Sequence, residues 1–162
     1  MITNLFRASP EIYLNNLDGK GGSYANGARW NPAGYPIVYL ASSASTALLE
    51  MAHYIPHPEL VPDNYRLGRY EIPTNLIDTY DKSKLPKNWD EYPHPQSTQQ
   101  IGKAWLDNSS NVALRLPSSA VPGGYDDIVI FNPCHPKAGE LKFIEAFPLA
   151  YSSRMFSGLS KD

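Results

Sequence analysis

The chain has 162 residues, a formal net charge of −2 and 19% charged residues, which fits one compact domain and excludes a dedicated nucleic-acid binder, whose phosphate contacts need clustered Lys and Arg. Hydrophobic residues at 42%, with 15 Pro and 11 Gly, exclude disorder and predict a turn-rich domain spanning residues 1–162. A lone Cys134 excludes a disulfide framework; with no signal-peptide pattern and no apolar run of about 18 residues, the expectation is a cytoplasmic protein without a membrane span.

Ile2 to Ala8 reads as a first strand, followed by a polar segment from Gly19 to Gly27 (GKGGSYANG) whose glycines admit backbone conformations other residues resist. Ile37 to Ala41 (IVYLA), introduced by Pro36, predicts a strand with Ile37 and Tyr39 on one face and Val38 and Leu40 on the other. Ser42, Ser43 and Ser45 then offer N-caps for a helix through Tyr54, stopped before Pro56 by the missing N–H and the ring clash. On that helix Ala44, Ala47, Leu48, Met51 and Ile55 recur at the spacing of a buried stripe, and Glu50 lies well off it. Arg66 to Ile72 reads as a strand, Leu85 to Gln96 as a Pro-rich connection carrying Trp89, and Thr98 to Leu106 as a helix with Ile101 and Trp105. Val112 to Leu116, Asp127 to Phe131 and Leu141 to Phe147 are further strands. Strands dominate, with helices early and in the middle and no internal repeat, so the fold class is α+β.

Candidate chemistry gathers in four places: Arg7, the Arg29-Trp30-Asn31-Pro32 turn, Tyr39 with Glu50, and Pro117-Ser118-Ser119. An arginine beside a tryptophan is ordinarily a surface charge or a cation–π partner; its functional alternative is a bidentate clamp on phosphate. Tyr39 reads as a half-buried strand aromatic or as a wall for a planar ring. Glu50 reads as a solvated helix charge or as a carboxylate offered to an oxocarbenium-like ribose. Ser118 is a turn residue outside any G-x-S-x-G setting, which argues against a serine hydrolase. His53 and His57 are separated by Pro56 and lack completing ligands, so no metal site is expected. GKGGS misplaces its lysine for a phosphate-binding P-loop.

Taken together, RWNPAGYPIVYLASSASTALLEMA at Arg29 to Ala52 resembles the RES domain, a family named for its arginine, glutamate and serine and usually encoded as the toxin of a toxin–antitoxin pair. Arg7 on the first strand, Gly27 to Asn31, Val38-Tyr39 and Ala47 to Glu50 follow the family's order. NWD at Asn88, IGKAWL at Ile101, LRLPSSAVP at Leu114 and FNPCHP at Phe131 look like its remaining blocks. The resemblance implies an ADP-ribosyltransferase-like split mixed β-sheet with flanking helices and an NAD cleft. It also implies an enzyme that depletes NAD⁺ by hydrolysis or phosphorolysis of the nicotinamide N-glycosidic bond; some relatives instead attach ADP-ribose to a protein. Carried over by residue, Arg7 and Arg29 would hold the phosphates and position the nicotinamide half, and Tyr39 would pack on the ring or ribose. Glu50 would stabilise the ribosyl cation and Ser118 would hydrogen-bond within the cleft, although Ser118-Ser119 leaves open which hydroxyl points inward. No cofactor is implied: NAD⁺ is the substrate, with inorganic phosphate as co-substrate of a phosphorylase. The implied partner is an Xre-like helix-turn-helix antitoxin, with no direct nucleic acid or membrane contact; a homodimer is compatible. A catalytically silent dinucleotide-binding module is the alternative from another class, whereas the lack of a basic groove or a His-rich acid/base pair sets an RNase aside.

Overall fold

The computed structural model describes residues 1–108, 110–149, 151–152 and 154. Seven strands form one mixed sheet: β1 (Ile2–Pro10), β2 (Val38–Ala41), β3 (Tyr65–Pro73), β4 (Ile77–Thr79), β5 (Ala113–Pro117), β6 (Asp127–Phe131) and β7 (Lys142–Pro148), in the order β4-β5-β6-β2-β1-β3-β7. β4 runs parallel to β5, and the other neighbouring pairs are antiparallel. β1 pairs with β3 along its whole length, from Ile2↔Pro73 to Pro10↔Tyr65, but meets β2 only at Phe6↔Ala41. A single residue pair therefore joins the two halves of the mixed sheet, the α+β architecture that the resemblance implied.

Strand periodicity sorts the core onto two faces. Leu5, Val38, Leu40, Tyr70, Val129 and Phe131 belong to one buried cluster, while Trp30, Leu114, Leu116, Ile128 and Ile130 belong to another, with Tyr39, Trp89, Ile101 and Trp105 packed against it. Neighbouring residues of β6 thus point to opposite clusters, and both faces of the sheet's centre are covered, which explains why β6 is apolar at successive positions. α3 (Gln96–Asn108) lies over the Trp30 face. Its Gly102 is buried, and a Cβ there would stand 1.6 Å from the Trp30 carbonyl oxygen, so only glycine allows this approach.

Several expected boundaries shift for local reasons. Ile37 falls outside β2 because its N–H is given to the Gly19 carbonyl at 3.1 Å rather than to the sheet ladder. The segment expected to be a flexible link contains a short helix, α1 (Gly22–Asn26), tied down by Asn31 Nδ2 donating to Ser23 O at 2.9 Å and Gly34 N to Tyr24 O at 2.8 Å. β4, only three residues long, was not anticipated; it exists because the chain crosses alongside β5.

The helix after β2 is α2 (Ala44–Ala52), with Ser43 as N-cap accepting from Thr46 N at 3.1 Å. Its buried residues are Thr46, Ala47 and Met51, whereas Ala44, Leu48 and Ile55 of the expected stripe are only half-buried. The buried face is rotated toward Thr46, whose hydroxyl is satisfied inside the protein, and Glu50 is half-buried rather than set out in solvent.

Candidate active site

The cluster is built from the C-terminal half of α2 and the turns flanking β2 and β5. Gly27 ends α1 at φ +75°, a positive-φ conformation that glycine adopts without strain and that turns the chain into the Arg29–Asn31 segment. A bridge between Ala28 and Asn31 closes this turn, with Ala28 N to Asn31 O at 2.9 Å. Trp30 and Asn31 are fully buried, and Tyr39 fixes both: its hydroxyl accepts from Trp30 N at 3.1 Å and donates to Asn31 Oδ1 at 2.7 Å. Burial pushes the Tyr39 phenol far above its ordinary value, so it stays a neutral donor at any physiological pH.

The turn presents Arg29 from a half-buried position. Its Nη1 donates to the carbonyls of Trp89 at 2.6 Å and Glu91 at 2.9 Å, so the guanidinium draws the Pro-rich connection over the site. Both bonds use one nitrogen; among the described residues Nη2 and Nε have no protein acceptor and can serve a ligand anion. Burial lowers the Arg29 pKa, while the nearby charges of Glu50 and Asp90 oppose the shift.

Glu50 Oε1 accepts a hydrogen bond from Ser118 Oγ at 2.5 Å. Ser118 is fully buried just past β5, with its N–H bound to the Asp126 carbonyl at 2.9 Å, whereas Ser119 is half-buried. The inward hydroxyl is therefore that of Ser118. A short bond from a neutral hydroxyl to a carboxylate holds the carboxylate in one orientation without cancelling its charge.

Arg29, Tyr39, Glu50 and Ser118 thus converge from four segments. Arg7 does not join them. The Phe6↔Ala41 pairing puts Tyr39 on the Phe6 face, while Arg7 belongs with Leu5 on the other. There its Nη1 reaches the carbonyls of Tyr13 at 3.3 Å and Asn16 at 3.4 Å, and its charge acts on the Tyr70 phenol.

Asn31, noted in the sequence as part of the Arg29 turn, is the buried hub of that turn, and one residue that the sequence reading passed over, Tyr54, lies close to the site. Tyr54, four residues beyond Glu50, lines a cavity of about 360 Å³ together with Gly22, Ser23, Asn26, Gly27 and Ala28. Partial burial and then the Glu50 charge push its pKa up, with Arg29 opposing, although most of the Tyr54 side chain is exposed. The i, i+4 spacing from Glu50 is the signal that could have found it. A larger cavity, about 680 Å³, opens between β4 and α3 and shares no lining residue with this one. Both of its carboxylates are already engaged, Asp78 by Trp105 Nε1 at 3.3 Å and Asn111 Nδ2 at 2.7 Å and Asp81 by Ser83 Oγ at 2.7 Å, which makes it the weaker candidate. Among the described residues no helix is long and apolar enough to cross a membrane.

Comparison with known proteins agrees with the sequence motifs. The family model described as RES domain matches residues 4–152. A protein named Toxin Res from Pseudomonas putida is 36% identical over 145 residues, covering 87% of this chain and 93% of the relative. One of the same name from Photorhabdus laumondii is 35% identical over 129 residues, 80% of this chain and 81% of the relative. A Prs ADP-ribosylating toxin from Sphingobium is 29% identical over 160 residues, covering 96% and 98%. Among solved structures, a chain of the M. tuberculosis MbcT–MbcA toxin–antitoxin complex superposes with a TM-score of 0.68, covering 93% of this chain and 85% of that one, at 20% identity, a likeness of fold.

Proposed function

Because the chain belongs to the RES domain family, we propose that it is a toxin enzyme that cleaves the nicotinamide N-glycosidic bond of NAD⁺, with water or inorganic phosphate as acceptor. The observation that carries this reading is the Glu50 carboxylate, fixed by Ser118 at 2.5 Å with the Arg29 charge nearby.

Breaking that bond generates positive charge at ribose C1′ while nicotinamide departs neutral. A fixed carboxylate aimed at C1′ therefore gains more in the transition state than in the ground state. The leaving group needs no proton, so a second carboxyl acting as general acid is not required. Arg29 offers its remaining donors to a phosphate, and Tyr39 acts through the turn it braces. Tyr54 supplies an aromatic face at the mouth of a cavity large enough for one half of the dinucleotide. Arg7, bonded to loop carbonyls on the opposite face, is assigned to holding the connection after β1.

The test is incubation of purified protein with NAD⁺, with and without inorganic phosphate, following nicotinamide and ADP-ribose products. Glu50→Gln keeps an acceptor for Ser118 but removes the charge, so turnover falls about 10²- to 10³-fold, as for loss of one electrostatic stabiliser. Cleavage by Glu50→Gln at the wild-type rate rejects the assignment. A second reading, transfer of ADP-ribose to a protein, is favoured by the relative named as an ADP-ribosylating toxin; label appearing on protein instead of in free product selects it. The toxin–antitoxin complex among similar folds supports an antitoxin as partner, and the resemblance makes an Xre-like helix-turn-helix protein our candidate.

A further inference from the structure

We propose that Thr46 and Asp126 are positioning residues for Glu50, an inference that rests on the assignment of Glu50 to the reacting ribose. Thr46 and Glu50 are separated by four residues, hence by about one turn and 6 Å along one side of α2. Each meets the chain segment that runs from the end of β5 to the start of β6. Thr46 Oγ1 donates to Asp126 Oδ2 at 3.0 Å, and Glu50 Oε1 accepts from Ser118 Oγ at 2.5 Å. Asp126 closes the frame, because its backbone carbonyl accepts the Ser118 N–H at 2.9 Å. Two rungs therefore join the helix to one segment, and a single residue links their far ends.

The Thr46 hydroxyl is not needed to start the helix. Ser43 already caps α2 by accepting from Thr46 N, and it also donates to Thr46 Oγ1 at 2.9 Å, which orients the Thr46 proton toward Asp126. At this position of 0% exposure, in a helix face otherwise filled by Ala47 and Met51, valine would keep the shape of the side chain while removing both hydrogen bonds of the hydroxyl. What the hydroxyl adds is direction. It fixes how far α2 has turned about its axis, and with it where the Glu50 carboxylate stands relative to Ser118. Ser42 reinforces the same junction, its N–H bound to the Asp127 carbonyl at 3.0 Å. A carboxylate that must face a developing charge tolerates little error, since a shift of about 1 Å at a reacting centre costs up to roughly 100-fold in rate.

The experiment compares Thr46→Val, Thr46→Ser and Asp126→Ala in the wild-type and Glu50→Gln backgrounds. NAD⁺ turnover and urea unfolding are measured on each protein. We expect Thr46→Val and Asp126→Ala to lower kcat about ten- to a hundred-fold with KM nearly unchanged, and Thr46→Ser to restore kcat. In the Glu50→Gln background Thr46→Val adds no further loss, because it acts through that carboxylate. A wild-type kcat in Thr46→Val and Asp126→Ala, or an equal loss with and without Glu50, overturns the proposal. The stability arm stands apart from NAD⁺ chemistry: the coupling between Glu50→Ala and Ser118→Ala, each of which removes the hydrogen bond between them, is read from unfolding midpoints and should collapse in Thr46→Val. An undiminished coupling overturns the positioning role even if the wild-type protein proves inert toward NAD⁺, an outcome that by itself overturns only the proposed activity.

Discussion

Gly102→Ala puts a methyl group where α3 crosses the Arg29–Asn31 turn. The new Cβ would lie 1.6 Å from the Trp30 carbonyl oxygen, 2.7 Å from its carbon and 3.3 Å from its Cα. Ordinary contact begins near 3.4 Å, so the two backbones must part by about 1.8 Å, and neither is the yielding end of a side chain. Trp30 is held by Tyr39 through its N–H, and α3 by Ile101 and Trp105 packed on the same cluster. Overpacking of this kind costs about 1–3 kcal/mol and sometimes more, while alanine in a helix interior returns up to about 1 kcal/mol over glycine. The backbone-on-backbone clash puts the cost at the upper end, for a net loss of about 2–3 kcal/mol. In a chain of this length that lowers Tm by roughly 4–12 °C. Gly139→Ala, where nothing lies within 4 Å, is the matched control and should stay within about 0.5 kcal/mol. Thermal and urea unfolding of the two variants decide the matter. If Gly102→Ala unfolds with its control, the close approach of α3 to Trp30 is wrong, and so is the account of how the Arg29 turn is held.

Two further outcomes follow from the same geometry. Tyr39→Phe strands the buried Trp30 N–H and Asn31 Oδ1 together, so it should cost about 1–3 kcal/mol in urea unfolding and reduce turnover with it; unchanged stability would remove Tyr39 as the brace of the turn. Burial, followed by the Arg29 charge, lowers the His94 pKa below its ordinary 6.5. The unfolded chain therefore takes up a proton before the folded one does, and stability is present above pH 6.5 and lost as pH falls through the folded value. Urea midpoints of wild type and His94→Gln should diverge progressively below that pH, the variant losing less; parallel curves would contradict it.

Much of the framework was legible in the sequence because it depends on short-range periodicity. Alternation in IVYLA and DIVIF, the serines before ALLEMA and the proline after Ile55 are local constraints on φ, ψ and hydrogen bonding, and the elements appear within a few residues of where they place them. The ordered motifs also identified the family and named the residues that meet at Glu50. Contacts between distant segments were not legible, because no local pattern encodes which carbonyl or hydroxyl will arrive opposite a side chain. Only the tertiary structure set the rotation of α2, since its inward face depends on Asp126 and Ser118 rather than on apolar spacing alone. It turned Ser118 rather than Ser119 inward by binding the Ser118 N–H to Asp126, and gave Arg29 two carbonyls of the Pro-rich connection. Arg7 was separated from Tyr39 by one step of strand parity at a seam held by a single pair. Sequence by itself determined the elements and the chemistry they carry; tertiary structure decided which groups face one another, because burial leaves each polar atom only the partners that packing brings within reach.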